Sequence, residues 1–315
     1  MTITKTGNTA ACASQKHSGP PQVRMRAIKN FFAAMLFLLP SLLIFTFFVF
    51  LPLLKTIQLS LYLTDPIGRM VAFAGLDNYR RIFEGEELLN SLKVSLTFAL
   101  YVVPTTIIIA LFLAVVSNVQ LKGISIFRII FSSTIAVSGA TASLIFLLLF
   151  HPAIGIFNYI LDLAQLPRVQ WLTSESTALI SISIVTIWLD LGFNTVILLA
   201  SLQGVPQELY ESATIDGAGI WQSFRHITVP MISPTIFFLI IVETLGTLQT
   251  FTQINVMTQG GPLDSTNAIV YSIYRSFYFD GQYGLAAAMS VFLFLIMLAL
   301  TVLQFGALER RVHYA

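Results

Sequence analysis

Long apolar runs alternate with shorter polar stretches along the chain, and the runs have the length of bilayer-crossing helices, about 20 mostly apolar residues each. Six fit: residues 31–54, 92–117, 127–150, 177–202, 232–251 and 285–307. The first and last contain no ionisable side chain, whereas the fourth and fifth each carry one carboxylate, Asp190 and Glu243, among several hydroxyls. Pro40, Pro52 and Pro104 fall inside runs and are expected to kink them or end a regular segment. The pattern predicts an all-α integral membrane fold of six transmembrane helices.

Composition agrees with the pattern. Of 315 residues, 56% are hydrophobic and 10% charged, against roughly 25% charged in a soluble domain. There is too little charge to cover a water-exposed globule, and too much apolar content for a disordered chain. The net charge of +2 gives nucleic acid no reason to bind. The single cysteine, Cys12, cannot close an internal disulfide, and the four histidines lack metal-ligand spacing. No G-x-x-x-x-G-K-[ST] loop and no G-x-S-x-G elbow occurs. The chain is therefore expected not to be an enzyme and to bind no cofactor itself. Gly260-Gly261-Pro262 reads as a turn, because no basic residue accompanies it.

With six spans both termini share one side of the membrane. That side collects ten Lys and Arg residues, the other seven, so both termini are expected in the cytoplasm. Residues 1–29 read as a flexible cytoplasmic tail, with Arg24, Arg26 and Lys29 anchoring the first helix. Residues 30–310 form one six-span domain, and residues 311–315 the cytoplasmic C-terminus. The largest external segment is 55–91, and the largest internal loop is 204–231.

That internal loop has its own local structure. Pro206 suits the first position of a helix, with Glu208 in the first turn, where the dipole favours an acid. Gly217 fits a left-handed cap ending that helix near Asp216, and Asp216 is placed to cap a second helix over 220–227. Pro230 then removes a backbone donor before the next span. Ile220, Phe224 and Ile227 recur at helical spacing with Trp221 on their flank. Two readings follow: a loop lying on the membrane surface, or a docking knob for a cytoplasmic partner.

The residues of this loop carry a resemblance. Glu211-Ser212-Ala213-Thr214-Ile215-Asp216-Gly217-Ala218, followed by Phe224, Ile227 and Pro230, resembles the EAA loop of permease subunits of binding-protein-dependent ABC importers. Ser212 stands where the family usually has a second alanine, and it is also small. Gly75-Leu76-Asp77-Asn78-Tyr79, Gly192-Phe193-Asn194 with Leu202-Gln203, and Gly260-Gly261-Pro262 with Thr266 resemble segments of the carbohydrate-uptake class. Within it, 304–314 and 260–275 look most like first permease subunits of glycerol-3-phosphate importers. The resemblance implies a type I importer permease whose EAA loop is the coupling helix. Glu208, Glu211, Ala213, Asp216, Gly217, Trp221 and Phe224 would then face an ATPase. It also implies a second permease making a heterodimer, two ATPase subunits that bind ATP and Mg, and an extracytoplasmic solute-binding protein. The setting would be a bacterial or archaeal cell membrane, and the cargo a sugar or glycerol-3-phosphate.

Two acids within spans are costly and mark functional candidates. Ser183, Thr186, Asp190, Asn194 and Ser201 follow one helical stripe, and Glu243, Thr247 and Thr250 another. Such stripes either line a solute pathway, with Asp190, Asn194, Glu243 and Thr247 at its centre, or form a buried hydrogen-bonded seam. An ion-coupled secondary transporter is the alternative that these acids suggest, although no internal repeat accompanies them.

Overall fold

The computed structural model describes residues 34–119 and 122–308. The expected tail (1–29) and C-terminus (311–315), with their basic residues, lie outside the described residues. Two compact units divide between Lys55 and Thr56.

The first unit is helical. Helix α1 (Ala34–Ser60) crosses the boundary between the units, and between Met35 and Phe50 its large apolar side chains are exposed, Phe37 and Phe48 most of all. Pro40 and Pro52 do not end it. A π turn at Thr46–Phe50, closed by Leu51 N–H donating to the Thr46 carbonyl, precedes Pro52. Proline clashes with the carbonyl four residues back, and the wider turn gives it room.

The second unit begins with an antiparallel hairpin, β1 (Tyr62–Thr64) and β2 (Met70–Phe73), the one sheet among the described residues. It is followed by α2 (Asp77–Glu84) and α3 (Glu86–Ser117). Helix α4 (Ile124–Ser132) continues into a 3-10 turn (Ser133–Ala136), and α5 (Gly139–Leu149) and α6 (Ile156–Leu163) come next. Then come α7 (Glu175–Gln203), α8 (Gln207–Ile215), α9 (Ile220–Ser223), α10 (Val229–Leu248) and α11 (Thr252–Met257). Helices α12 (Ile269–Tyr278) and α13 (Tyr283–Leu308) complete the described residues.

Among the described residues five helices are long and apolar enough to cross a membrane: α1, α3, α7, α10 with its extension to Met257, and α13. The expected third span is not straight. Residues 124–136 and 139–149 meet at 104°, so six spans are reached only if the bent pair counts as one. The cause is local: Val137 and Ser138 are extended, and the Ser138 hydroxyl accepts from Thr141 N–H and restarts the helix as its N-cap.

Within this unit α3 packs along α7, and α10 lies against both. Their shared core has two apolar parts. One joins Phe98 and Val102 to Ile182 and Ile254. The other joins Ile107 and Ala110 to Leu198, Ile232 and Leu239. Pro104 in α3 and Pro234 in α10 sit inside helices that continue past them.

The segment between α5 and α7 is organised by Asn158, 2% exposed. Its Nδ2 donates to the Pro152 and Val169 carbonyls at 3.0 and 3.1 Å, and its Oδ1 accepts from Val169 N–H and Trp171 Nε1–H. Beside it, Arg168 forks onto the Asp162 carboxylate, which holds that carboxyl below the usual range through this hydrogen bond.

Candidate functional site

The first candidate site is the knob built by α8 and α9. Pro206 stands at the N-cap of α8 rather than inside it, and Glu208 lies in the first turn. The helix ends as the glycine suggested. Gly217 has φ +79°, Ala218 N–H donates to the Ala213 carbonyl at 2.9 Å, and Gly217 N–H donates to Thr214 at 3.1 Å. This is the paired closure of a Schellman motif.

Asp216 does not cap α9. The N-cap is Gly219, and its N–H is taken by the Gln222 side chain at 2.9 Å. A residue three positions into the helix can reach back in this way, whereas Asp216 precedes the cap. Nor does Pro230 separate the second short helix from the next span. Its α-helical part stops at Ser223, and a π turn (Phe224–Thr228) carries the helix into α10, with Val229 N–H donating to the Phe224 carbonyl. The chain is helical without a break from Ile220 to Leu248.

The knob is pinned where α8 meets this π turn, by Tyr210 Oη and Thr228 Oγ1 at 3.0 Å. Glu208, Glu211, Asp216 and Gly217 are exposed, and Ala213 and Phe224 are half-buried. Ile220 is 94% exposed and Trp221 71%, with the Trp221 ring stacked on Phe224 at 5.5 Å. Behind them a cleft of about 600 Å³ runs to Ile108, Phe112 and Val115 of α3. All seven expected coupling residues thus fall on one small protrusion.

The second candidate site is polar and lies inside the helix bundle. Asn194 Nδ2 of α7 donates to Glu243 Oε1 of α10 and to the Asp190 carbonyl at 2.9 Å. Glu243 and Thr247 are buried, Asn194 completely so, and Asp190 is half-buried. Further along the same pair of helices, Thr235 donates to Ser201 at 2.9 Å. The outer members of the stripes do not join this contact, because Ser183 and Thr186 donate to carbonyls of their own helix. Within this chain the Asn194–Glu243 contact therefore ties α7 to α10. Sequence reasoning did not include Thr106 and Thr195, whose hydroxyls are buried without a partner among the described residues, as are Asn194 Oδ1 and Thr247 Oγ1.

Membrane-crossing helices around a buried polar seam, with an aromatic knob outside the bundle, define a multi-pass membrane transport protein. The comparisons make this specific. The chain is 33% identical over 282 residues to the sn-glycerol-3-phosphate transport system permease protein UgpA of Yersinia pestis, covering 89% of this chain and 95% of the relative. It is 33% identical over 278 residues to the protein of that name from Agrobacterium fabrum, covering 87% and 94%. A bacterial ABC transporter involved in importing the acidic polysaccharide alginate aligns with TM-score 0.78 and 25% identity, over 91% of this chain and 99% of that one. No family model matches the chain. The chain belongs to the permease subunits of ABC importers, the family of the sugar and glycerol-3-phosphate permeases. It is a transport subunit and not an enzyme.

Proposed function

We propose that this chain forms, with a second permease, the pathway for ATP-driven uptake of a sugar or glycerol-3-phosphate, and that the knob is its contact with an ATPase. The observation that carries the reading is the exposure of Ile220 and Trp221 at the tip of a protrusion continuous with a membrane span. Large aromatic side chains of this kind anchor interfaces. Glu208, Glu211, Ala213, Asp216 and Gly217 surround them, and Phe224 supports the Trp221 ring. ATP and Mg are bound by two partner ATPase subunits. An extracytoplasmic binding protein delivers the solute, and both termini lie in the cytoplasm of a bacterial or archaeal cell. Asp190, Asn194, Glu243 and Thr247 belong to the solute pathway.

The test is affinity purification from native membranes, followed by reconstitution with the recovered partners. An ATPase and a binding protein are expected to copurify with the wild-type chain. Trp221→Ala is expected to lose the ATPase while keeping the second permease. Recovery of the ATPase at wild-type level with both Trp221→Ala and Ile220→Ser would remove the knob from the coupling contact. The secondary-transporter alternative requires uptake that persists without ATP and collapses with the ion gradient.

A further inference from the structure

The two apolar parts of the shared core do not touch end to end. On α3 the first stops at Val102 and the second begins at Ile107; on α7 the first, with its packed neighbours, reaches Ile187 and the second begins at Leu191. Polar residues of three helices are set into the core near this junction, around the Asn194–Glu243 contact: Thr106 of α3, Asp190, Asn194 and Thr195 of α7, and Glu243 and Thr247 of α10.

Two features of this layer define what it accepts. First, four polar atoms are buried without a partner, on Thr106, Asn194, Thr195 and Thr247, and Asn194, 0% exposed, is fixed to Glu243 by its other amide atom. Buried polar groups need partners. A solute hydroxyl, both donor and acceptor, satisfies carboxylates, amide oxygens and threonine hydroxyls alike. Second, this chain's own share of the layer, among the described residues, offers nothing that compensates a negative charge. Helices α3, α7, α10 and α13 contain one basic residue among them, Lys93, 13 positions and about 20 Å along α3 from Thr106. The layer residues also sit in helix interiors, away from the N-termini that bind anions. A phosphate or carboxylate would meet two carboxyl groups and no cation, in a setting where an unpaired charge is costly.

We infer that this layer selects an uncharged, polyhydroxylated solute, a sugar or polyol, and rejects solutes bearing phosphate or carboxylate. The inference rests on the pathway proposed above and narrows it to one of its two substrate classes. It sets this chain apart from the relatives whose names specify glycerol-3-phosphate or an acidic polysaccharide.

The experiment uses the transporter purified with its own binding protein. That protein is screened with uncharged sugars and polyols, with sn-glycerol-3-phosphate and with uronate oligosaccharides. Whatever it retains from the cell is also identified by mass spectrometry. The retained solute is then followed into ATP-loaded proteoliposomes. The expected solute carries no charge, and Glu243→Gln and Asp190→Asn each raise its apparent KM about tenfold while the complex stays assembled. Import of a phosphorylated or carboxylated solute would overturn the inference, as would wild-type KM in both variants. Failure of the importer reading is separately visible, since no ATPase would then copurify.

Discussion

Substitution of Gly217 tests the knob through its backbone alone. A Cβ built on this residue meets nothing within 4 Å, so side-chain crowding plays no part. What remains is the φ of +79°, which costs an ordinary L-residue about 1–2 kcal/mol. Because two hydrogen bonds close on this geometry, from Gly217 to Thr214 and from Ala218 to Ala213, the same free energy acts on the turn as a whole. The correctly closed knob becomes about 5–30-fold less populated relative to alternatives. Asn tolerates left-handed backbone, and Val is worse than Ala because it is β-branched. Uptake per ATP hydrolysed, measured in proteoliposomes with the partner subunits, is expected to fall in the order Gly, Asn, Ala, Val. Gly217→Asp is expected to cost less backbone energy than Gly217→Ala. Thermal stability of the purified chain should fall by no more than this cost of about 1–2 kcal/mol, because a new side chain meets no neighbour at the turn. Wild-type coupling in both Gly217→Ala and Gly217→Val would refute the reasoning, and so would a Gly217→Asn variant as defective as Gly217→Val.

Three further outcomes are expected. Asn158→Leu strands two carbonyls and two N–H groups that Asn158 now satisfies. The loss is about 2–5 kcal/mol, read as a lowered unfolding midpoint in detergent; a change under about 1 kcal/mol would contradict it. At Gly192, whose N–H donates to Thr134 Oγ1 at 3.1 Å, a new Cβ would fall on that oxygen and 2.8 Å from the Phe131 carbonyl. Gly192→Ala should therefore destabilise by about 1–3 kcal/mol, and Thr134→Ala should restore part of this in a double-mutant cycle. The Arg168–Asp162 pair is exposed and depends on pH. Hydrogen bonding to Arg168 lowers the folded-state pKa of Asp162, so its stabilisation is present above the ordinary carboxylate value and lost as pH falls through the lowered one. The stability difference between wild type and Arg168→Met should be small at pH 7 and vanish in acid, and a difference that grew on acidification would reverse the assignment.

Period and length made most of the helices legible. Runs of about 20 apolar residues locate spans whatever their neighbours do, and the left-handed turn at Gly217 follows from local backbone sterics alone. The features that were not legible depend on partners remote in sequence or on competing local signals. The run 127–150 is uniformly apolar, and only Ser138, an N-cap residue before Gly139, marks the 104° bend. Pro230 carries a strong breaking signal, but a single π turn accommodates it, and sequence rules have no term for that exchange. The polar stripes were visible at helical spacing. Their division was not: Asn194 and Glu243 meet across helices, whereas Ser183 and Thr186 bond within their own, and this depends on how α7 and α10 are rotated. Thr106 escaped notice because the adjacent pair Thr105-Thr106 in an apolar run carries no signal at helical spacing.

The unbroken helix from Ile220 to Leu248 has a mechanical consequence. Glu243 lies 23 residues from Ile220, roughly 35 Å at 1.5 Å per residue. A continuous helix of that length works as a lever arm. Tilting it by about 5° at the knob end displaces the far end by roughly 3 Å, about the length of one hydrogen bond. A force applied to Trp221 therefore needs no relay of intervening side chains to part Asn194 from Glu243. The Phe224–Thr228 π turn then sits near the fulcrum, where a softer i→i−5 hydrogen-bonding pattern sets how much of the tilt reaches the middle of the membrane.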